Sequence, residues 1–231
     1  MEPISRRDLL KLGGAAVGAA TIPSMSDPVA AQTPKRGGTL RVRVEDPVGF
    51  DPHLTLSFKT MQNLSFTHSR LVKVRAGSAV APGTLPLEGD LAESWSQSSE
   101  TTYVFTLRRG VRWHPKPPVN GRELTSADVK YSLERFLTLK GNPSAYMLRA
   151  IDRVETPDGA TVVIVLKEPN AWFLDMLANP MTAAIVAREV VEKFGDLRRA
   201  ESVIGTGPWM LESYRPNVGI SLAGFESNEG H

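Results

Sequence analysis

The chain has 231 residues, of which 41% are hydrophobic and 23% charged, values that exclude wholesale disorder and fibrous architecture. Twenty-seven Lys and Arg stand against 25 Asp and Glu, a net charge of +2 and too slight an excess for a dedicated nucleic-acid binder. Cysteine is absent, which removes disulfides, thiolate metal sites, cysteine nucleophiles and lipid attachment at a cysteine, and 17 prolines predict short elements joined by turns.

Residues 1–31 read as an export signal. Arg6 and Arg7 precede an apolar, glycine-rich run over residues 12–22, and small residues ending in Ala31 mark the expected cut. The paired arginines, two apolar residues and Lys11 resemble a twin-arginine signal. The run is about half the ~20 residues a membrane span requires, so an anchor is not expected. Gly13 to Gly18 has no preceding strand and no Lys-Ser/Thr after it, which rejects a phosphate loop. Arg6, Arg7 and Lys11 balance Glu2, Asp8 and Asp27, so the mature chain keeps the net charge.

The mature chain is expected over residues 32–231. Alternation of Leu40, Val42 and Val44 predicts a half-buried strand over 38–45, and two Asp-Pro pairs bracket the loop that follows. Thr55 is placed as the cap of a helix running to about Leu71, with Phe58, Met61 and Leu64 near one face. A short strand is expected over 72–75, a proline-containing loop over 79–89, and one helical turn over 90–95. Residues 102–108 alternate as a strand that 111–114 extend. Thr125 and Asp128 have capping-box spacing, and Val129, Leu133, Phe136 and Leu137 follow at helical intervals. Strands over 151–155 and 161–166 flank the turn Pro157-Asp158-Gly159. A helix over 171–177, a strand over 183–186, a helix over 188–194 closed by Gly195, and a hairpin over 208–223 complete the chain. The order is mixed α/β (α+β), without the regular alternation of a doubly wound nucleotide fold.

Little in this pattern carries reaction chemistry. His53, His68, His114 and His231 have no partner at metal-ligand spacing, so no metal or other cofactor is expected, and no nucleophile motif is present. Phe50, in the loop after the first predicted strand, and Trp209, after Gly205-Thr206-Gly207-Pro208, suit either the core or an apolar wall approached by flanking glycines. The residues taken alone favour the core.

Six segments in order carry a family resemblance: GGTLRV at 37–42, FDPH at 50–53, DLAESW at 90–95, YVFTLRRGV at 103–111, LTSADVKYSLER at 124–135 and GTGPW at 205–209. Over nearly all of residues 37–231 the chain resembles the extracytoplasmic solute-binding proteins of peptide-type ABC importers, the family-5 dipeptide/oligopeptide/nickel-binding group. The resemblance implies a type II periplasmic-binding-protein-like fold, of which residues 32–231 would supply part of the first lobe and the small extra domain. It implies a soluble periplasmic protein, not an enzyme, that closes around a peptide or other small solute and delivers it to membrane permease subunits. The export partner would be the twin-arginine machinery, and no nucleic acid is involved. Val48, Gly49, Phe50, Thr206, Gly207 and Trp209 are the segments expected at the cleft, supplying backbone hydrogen bonds, a hydroxyl and an apolar wall. Three departures stand out. Residues 74–89 are longer and richer in proline than the family's linker, Trp209 stands where tyrosine is common, and the chain stops where the family continues into a second lobe. A C-terminally truncated member is therefore expected. The alternative from another class is an exported hydrolase with unpatterned catalytic carboxylates.

Overall fold

Residues 37–182 and 184–226 are described by the structure, a computed structural model; the reading of residues 1–31, with Arg6, Arg7 and Ala31, lies outside them, as does His231. Residues to Val42 group as one unit and residues from Arg43 as another, and every element below belongs to the second. In chain order these are α1 (Phe58–Leu64), β1 (Val72–Val74), β2 (Leu87–Gly89), β3 (Ala92–Ser99), β4 (Thr102–Leu107), α2 (Ser126–Thr138), β5 (Ile151–Glu155), β6 (Thr161–Leu166), α3 (Phe173–Ala178), α4 (Arg188–Phe194), β7 (Trp209–Arg215) and β8 (Gly219–Gly224). The expected mixed α/β class is what forms.

Alternation in β4 and β6 puts Tyr103, Phe105 and Leu107 beside Val162, Ile164 and Leu166 on one buried face. The sheet is antiparallel in the order β3-β4-β6-β5, with Phe105 opposite Trp95 on one side and Val162 on the other. Helix α2 covers that face: Val129, Leu133 and Phe136 lie at helical spacing and join the same core cluster. Its start is the expected capping box, in which the Thr125 N–H donates to Asp128 Oδ2 at 2.9 Å. Strands β1 and β2 pair antiparallel, as do β7 and β8. Gly195 closes α4 with φ of 78°, a value that favours glycine.

Several expectations are corrected. No strand forms over 38–45: alternation by itself does not make a strand, whose main-chain groups need a paired neighbour. Helix α1 stops at Leu64 rather than near Leu71. The carbonyls of Phe66 and Thr67 instead accept from Trp209 and Gly207 at 3.1 and 3.0 Å, which pulls the chain out of the helix. Residues 90–95 are not a helical turn. From Ala92 they belong to β3, where pairing with β4 overrides local propensity. Residues 111–114 leave β4 for their own contacts, Trp113 N–H to the Arg122 carbonyl at 3.0 Å and Leu124 N–H to the Val111 carbonyl at 2.8 Å. Strand β2 lies inside the expected 79–89 loop. The strand expected over 183–186 does not form over its described part, 184–186, since Ile185 N–H donates to the Ser69 carbonyl and Val186 N–H to Ser132 Oγ, both at 2.9 Å.

Candidate functional site

The two segments expected to meet a ligand flank α1. The first is the turn-rich loop at residues 47–53. Gly49 takes φ of 152°, and its carbonyl accepts from Thr60 Oγ1 on α1 at 2.9 Å. Phe50 N–H donates to the Arg198 carbonyl at 3.2 Å. The Phe50 ring is 5% exposed and packs with Leu64, Val203 and Leu211, its centroid 5.1 Å from that of Tyr214 in an edge-to-face arrangement. Val48, by contrast, is 71% exposed.

Below the loop lies a buried charged cluster. Arg135 of α2 forks onto Asp51, with Nη2 to Oδ2 at 2.6 Å and Nη1 to Oδ1 at 3.2 Å. Asp51 also accepts from the His53 N–H at 2.9 Å and the Leu197 N–H at 3.4 Å. Burial by itself would raise the Asp51 carboxyl; the hydrogen bond and charge of Arg135 outweigh it and hold the group below the usual carboxylate range. Arg135 Nη1 also donates to His53 Nδ1 at 2.8 Å, and His53 Nε2 donates to the Ala184 carbonyl at 2.8 Å. Burial, then the neighbouring guanidinium charge, push the His53 ring down to about 4.

The second segment is the Gly-Thr-Gly-Pro-Trp run at 205–209, and its glycines answer to a close backbone approach. A Cβ at Gly205 would sit 1.8 Å from the Thr67 carbonyl oxygen, and one at Gly207 would sit 2.7 Å from that of Phe66. His114 grips the other side. Its N–H donates to the Gly205 carbonyl at 2.9 Å, its Nδ1 accepts from the Gly205 N–H at 3.1 Å, and its Nε2 donates to the Gly207 carbonyl at 3.0 Å. Burial pushes this ring down to about 4, with the charge of Lys116 acting the same way and the Gly207 carbonyl against it. His68, whose Nδ1 lies 2.9 Å from Thr67 Oγ1, is pushed by burial and then by His114 and His53 to about 3. Thr206 is buried, and Trp209 is 41% exposed at the start of β7.

The structure thus brings Gly49, Phe50, Gly207 and Trp209 onto α1 and the residues just after it. Val48 and Trp209 offer side-chain surface, whereas Phe50 and Thr206 are enclosed. Two surface grooves of about 520 and 620 Å³ occur elsewhere, the first between α2 and β5 and the second beside β7, and neither is lined by these six residues. Among the described residues no group of three or more His, Asp or Glu is arranged to hold a metal ion, and no helix is long and apolar enough to cross a membrane. The sequence reading missed His53, Asp51, Arg135 and His114 as supports of these loops. FDPH contains two of them, but their remote partners lie 82 to 146 residues away, and no spacing signal reveals that.

Comparison with known proteins bears on the family and the fold. The profile of the bacterial extracellular solute-binding proteins, family 5 Middle, matches residues 86–228. A dipeptide-binding protein of Escherichia coli K12 is 32% identical over 204 residues, covering 80% of this chain and 37% of its own length. Di/tripeptide-binding protein 2 of Pseudomonas aeruginosa UCBPP-PA14 is 34% identical, covering 77% and 36%. Among solved structures, the binding protein MoaA of A. tumefaciens R10 in complex with mannopinic acid shares a TM-score of 0.69 and 28% identity, covering 80% of this chain and 36% of that one. Helicobacter pylori DppA with a bound peptide, at 22% identity and the same TM-score, shares the fold. The fold is that of type II periplasmic binding proteins in part, and the chain spans a little over a third of the length of these relatives. The chain belongs to the bacterial extracellular solute-binding proteins of family 5.

Proposed function

We propose that this chain is part of the periplasmic substrate-binding component of an ABC importer, capturing a peptide or similar small solute for delivery to a membrane permease. The observation that carries this reading is the family match over residues 86–228, joined to relatives that are themselves dipeptide- and di/tripeptide-binding proteins. Its role is binding rather than catalysis, and with relatives of that kind the hydrolase alternative gains no support. In this reading residues 1–31 direct twin-arginine export with a cut near Ala31, and the mature protein is soluble in the periplasm. Residues 32–231 contribute first-lobe structure and the small extra domain, the latter corresponding to the β3-β4-β6-β5 sheet with α2.

The ligand wall would be built from main-chain groups around Val48, Gly49 and Phe50 and around Thr206 and Gly207, with Trp209 as its apolar surface. Main-chain recognition suits peptides, whose backbone is common to all members while side chains vary. The exposure of Val48 and Trp209 supports their place on that wall. The test is native mass spectrometry of the chain fused to the second lobe of a family relative, after separate incubation with a mixed di- to pentapeptide library, an opine and a nickel complex. One-to-one retention is expected of the two-lobe form, while residues 32–231 alone should bind no peptide tightly. Failure of the two-lobe form to retain any peptide, opine or nickel complex would overturn the reading.

A further inference from the structure

Each of the two loops at the candidate ligand wall rests on one buried histidine, and both rings meet their partners in the same way. A main-chain N–H only donates and a carbonyl only accepts, so partners of these kinds fix where a ring proton sits. At His114, Nδ1 faces the Gly205 N–H at 3.1 Å and Nε2 faces the Gly207 carbonyl at 3.0 Å. At His53, Nδ1 faces the Arg135 guanidinium at 2.8 Å and Nε2 faces the Ala184 carbonyl at 2.8 Å. In both, Nδ1 must carry a lone pair and Nε2 the proton. We propose that His53 and His114 are the positioning residues of the two ligand-facing loops, each acting as a neutral imidazole whose Nδ1 lone pair holds its loop in place. The link to ligand rests on the function proposed above; the link to the loops does not.

The consequence is sensitivity to acid. Adding a proton at Nδ1 of His114 would set donor against donor across the Gly205 contact, and at His53 it would set an imidazolium against a guanidinium. Both rings are fully buried, so water cannot relieve either conflict. The charged and titratable groups that face them are Asp51, Arg135 and His68 for His53, and Lys116 and His68 for His114. Phe136 and Phe225 stand edge-on to the two rings, 5.3 and 5.1 Å away between centroids. His68 lies between the two sites electrostatically, and Thr67 beside it supplies the carbonyl that receives the Gly207 N–H. Charging one ring therefore discourages charging the next, and the loops are held together until acid forces them apart.

The test uses the 231-residue chain labelled with ¹⁵N. Long-range ¹H–¹⁵N spectra at pH 7 should show both rings neutral with the proton on Nε2; a ring charged there, or protonated on Nδ1, would overturn the proposal. His114→Asn keeps an acceptor near the Nδ1 position, while His114→Phe keeps only shape. In His114→Phe the Gly205 amide should exchange with solvent about tenfold faster, with the Phe105 and Ile164 amides unchanged, and His114→Asn should restore much of the protection. Equal exchange in the two variants, or equal acceleration of the core amides, would count against an acceptor role. His53→Asn and His53→Phe, read at the Phe50 amide, give the same comparison for the first loop. Should a phenylalanine variant not fold, the wild-type tautomer spectrum still decides. Peptide retention by the two-lobe fusion separates the two claims: a fusion that holds no ligand defeats the proposed function while the tautomer and exchange results on the 231-residue chain stand.

Discussion

Asp51 and Arg135 form a pair whose side chains are 1% and 7% exposed, so each depends on the other. Removing one partner strands a buried charge, and Arg135→Met is expected to cost about 3–5 kcal/mol, read from the shift in urea midpoint. Acid should act through the histidines. Their folded pKa values lie below the ordinary 6.5, at about 4, 3 and 4 for His53, His68 and His114, so the fold binds fewer protons than the unfolded chain. The stability they contribute is fully present above pH 6.5 and is lost as pH falls toward those values, at about 2 kcal/mol per histidine by pH 5. Asp51, depressed rather than raised, keeps its contribution until pH falls below about 4. Thermal melts from pH 7.5 to 4.5 should show a steady drop in Tm, and a flat profile would contradict the burial of neutral rings. Phe50 and Trp209 should differ in kind. Phe50→Ala is expected to cost about 3–5 kcal/mol of stability, while Trp209→Ala, at an exposed ring, should spare Tm and weaken peptide affinity. Melts and calorimetric titration on the same variants check both.

At the scale of elements, the joints are polar and the bodies apolar. Helix α2 begins on the Thr125–Asp128 box, and Asp128 also accepts two hydrogen bonds from Arg122 at 2.6 and 2.8 Å. Arg122 donates two more to Glu189 on α4, at 2.6 and 2.9 Å, and its guanidinium lies 5.7 Å from the Trp113 ring centroid. One side chain thus ties the 111–124 loop to the starts of two helices. Thr125→Ala should cost about 1 kcal/mol, the ordinary value of a lost cap, and Asp128→Ala distinctly more because Arg122 loses a partner as well. Chemical denaturation distinguishes them; equal losses would mean that the Arg122 fork contributes nothing. The same scale explains why residues 90–95 and 184–186 depart from the local expectation. Their backbone groups are claimed by β4 in one case and by Ser69 and Ser132 in the other, and neither partner is near in sequence.

For the whole molecule, the proposed route to the periplasm is tested by replacing Arg6 and Arg7 together with lysine. Export should fall sharply in cell fractionation, and equal periplasmic amounts for variant and wild type would exclude the twin-arginine route. What the sequence determined by itself was everything that local chemistry governs. The alternation of β4 and β6, the capping box and stripe of α2, the Pro-Asp-Gly turn, the glycine stop of α4 and the β7–β8 hairpin all follow from neighbours within a few residues. Six such segments in order were enough for the family. Only the tertiary structure decided how the candidate wall is held. Asp51 meets Arg135 across 84 residues, His53 meets Ala184 across 131, and His114 meets Gly205 across 91. It also decided that the Phe50 ring is packed inside while Trp209 remains at the surface. The physical reason is that a hydrogen bond or a buried face is specified by position in space. A sequence displays which groups need partners, and the fold alone chooses among the partners on offer.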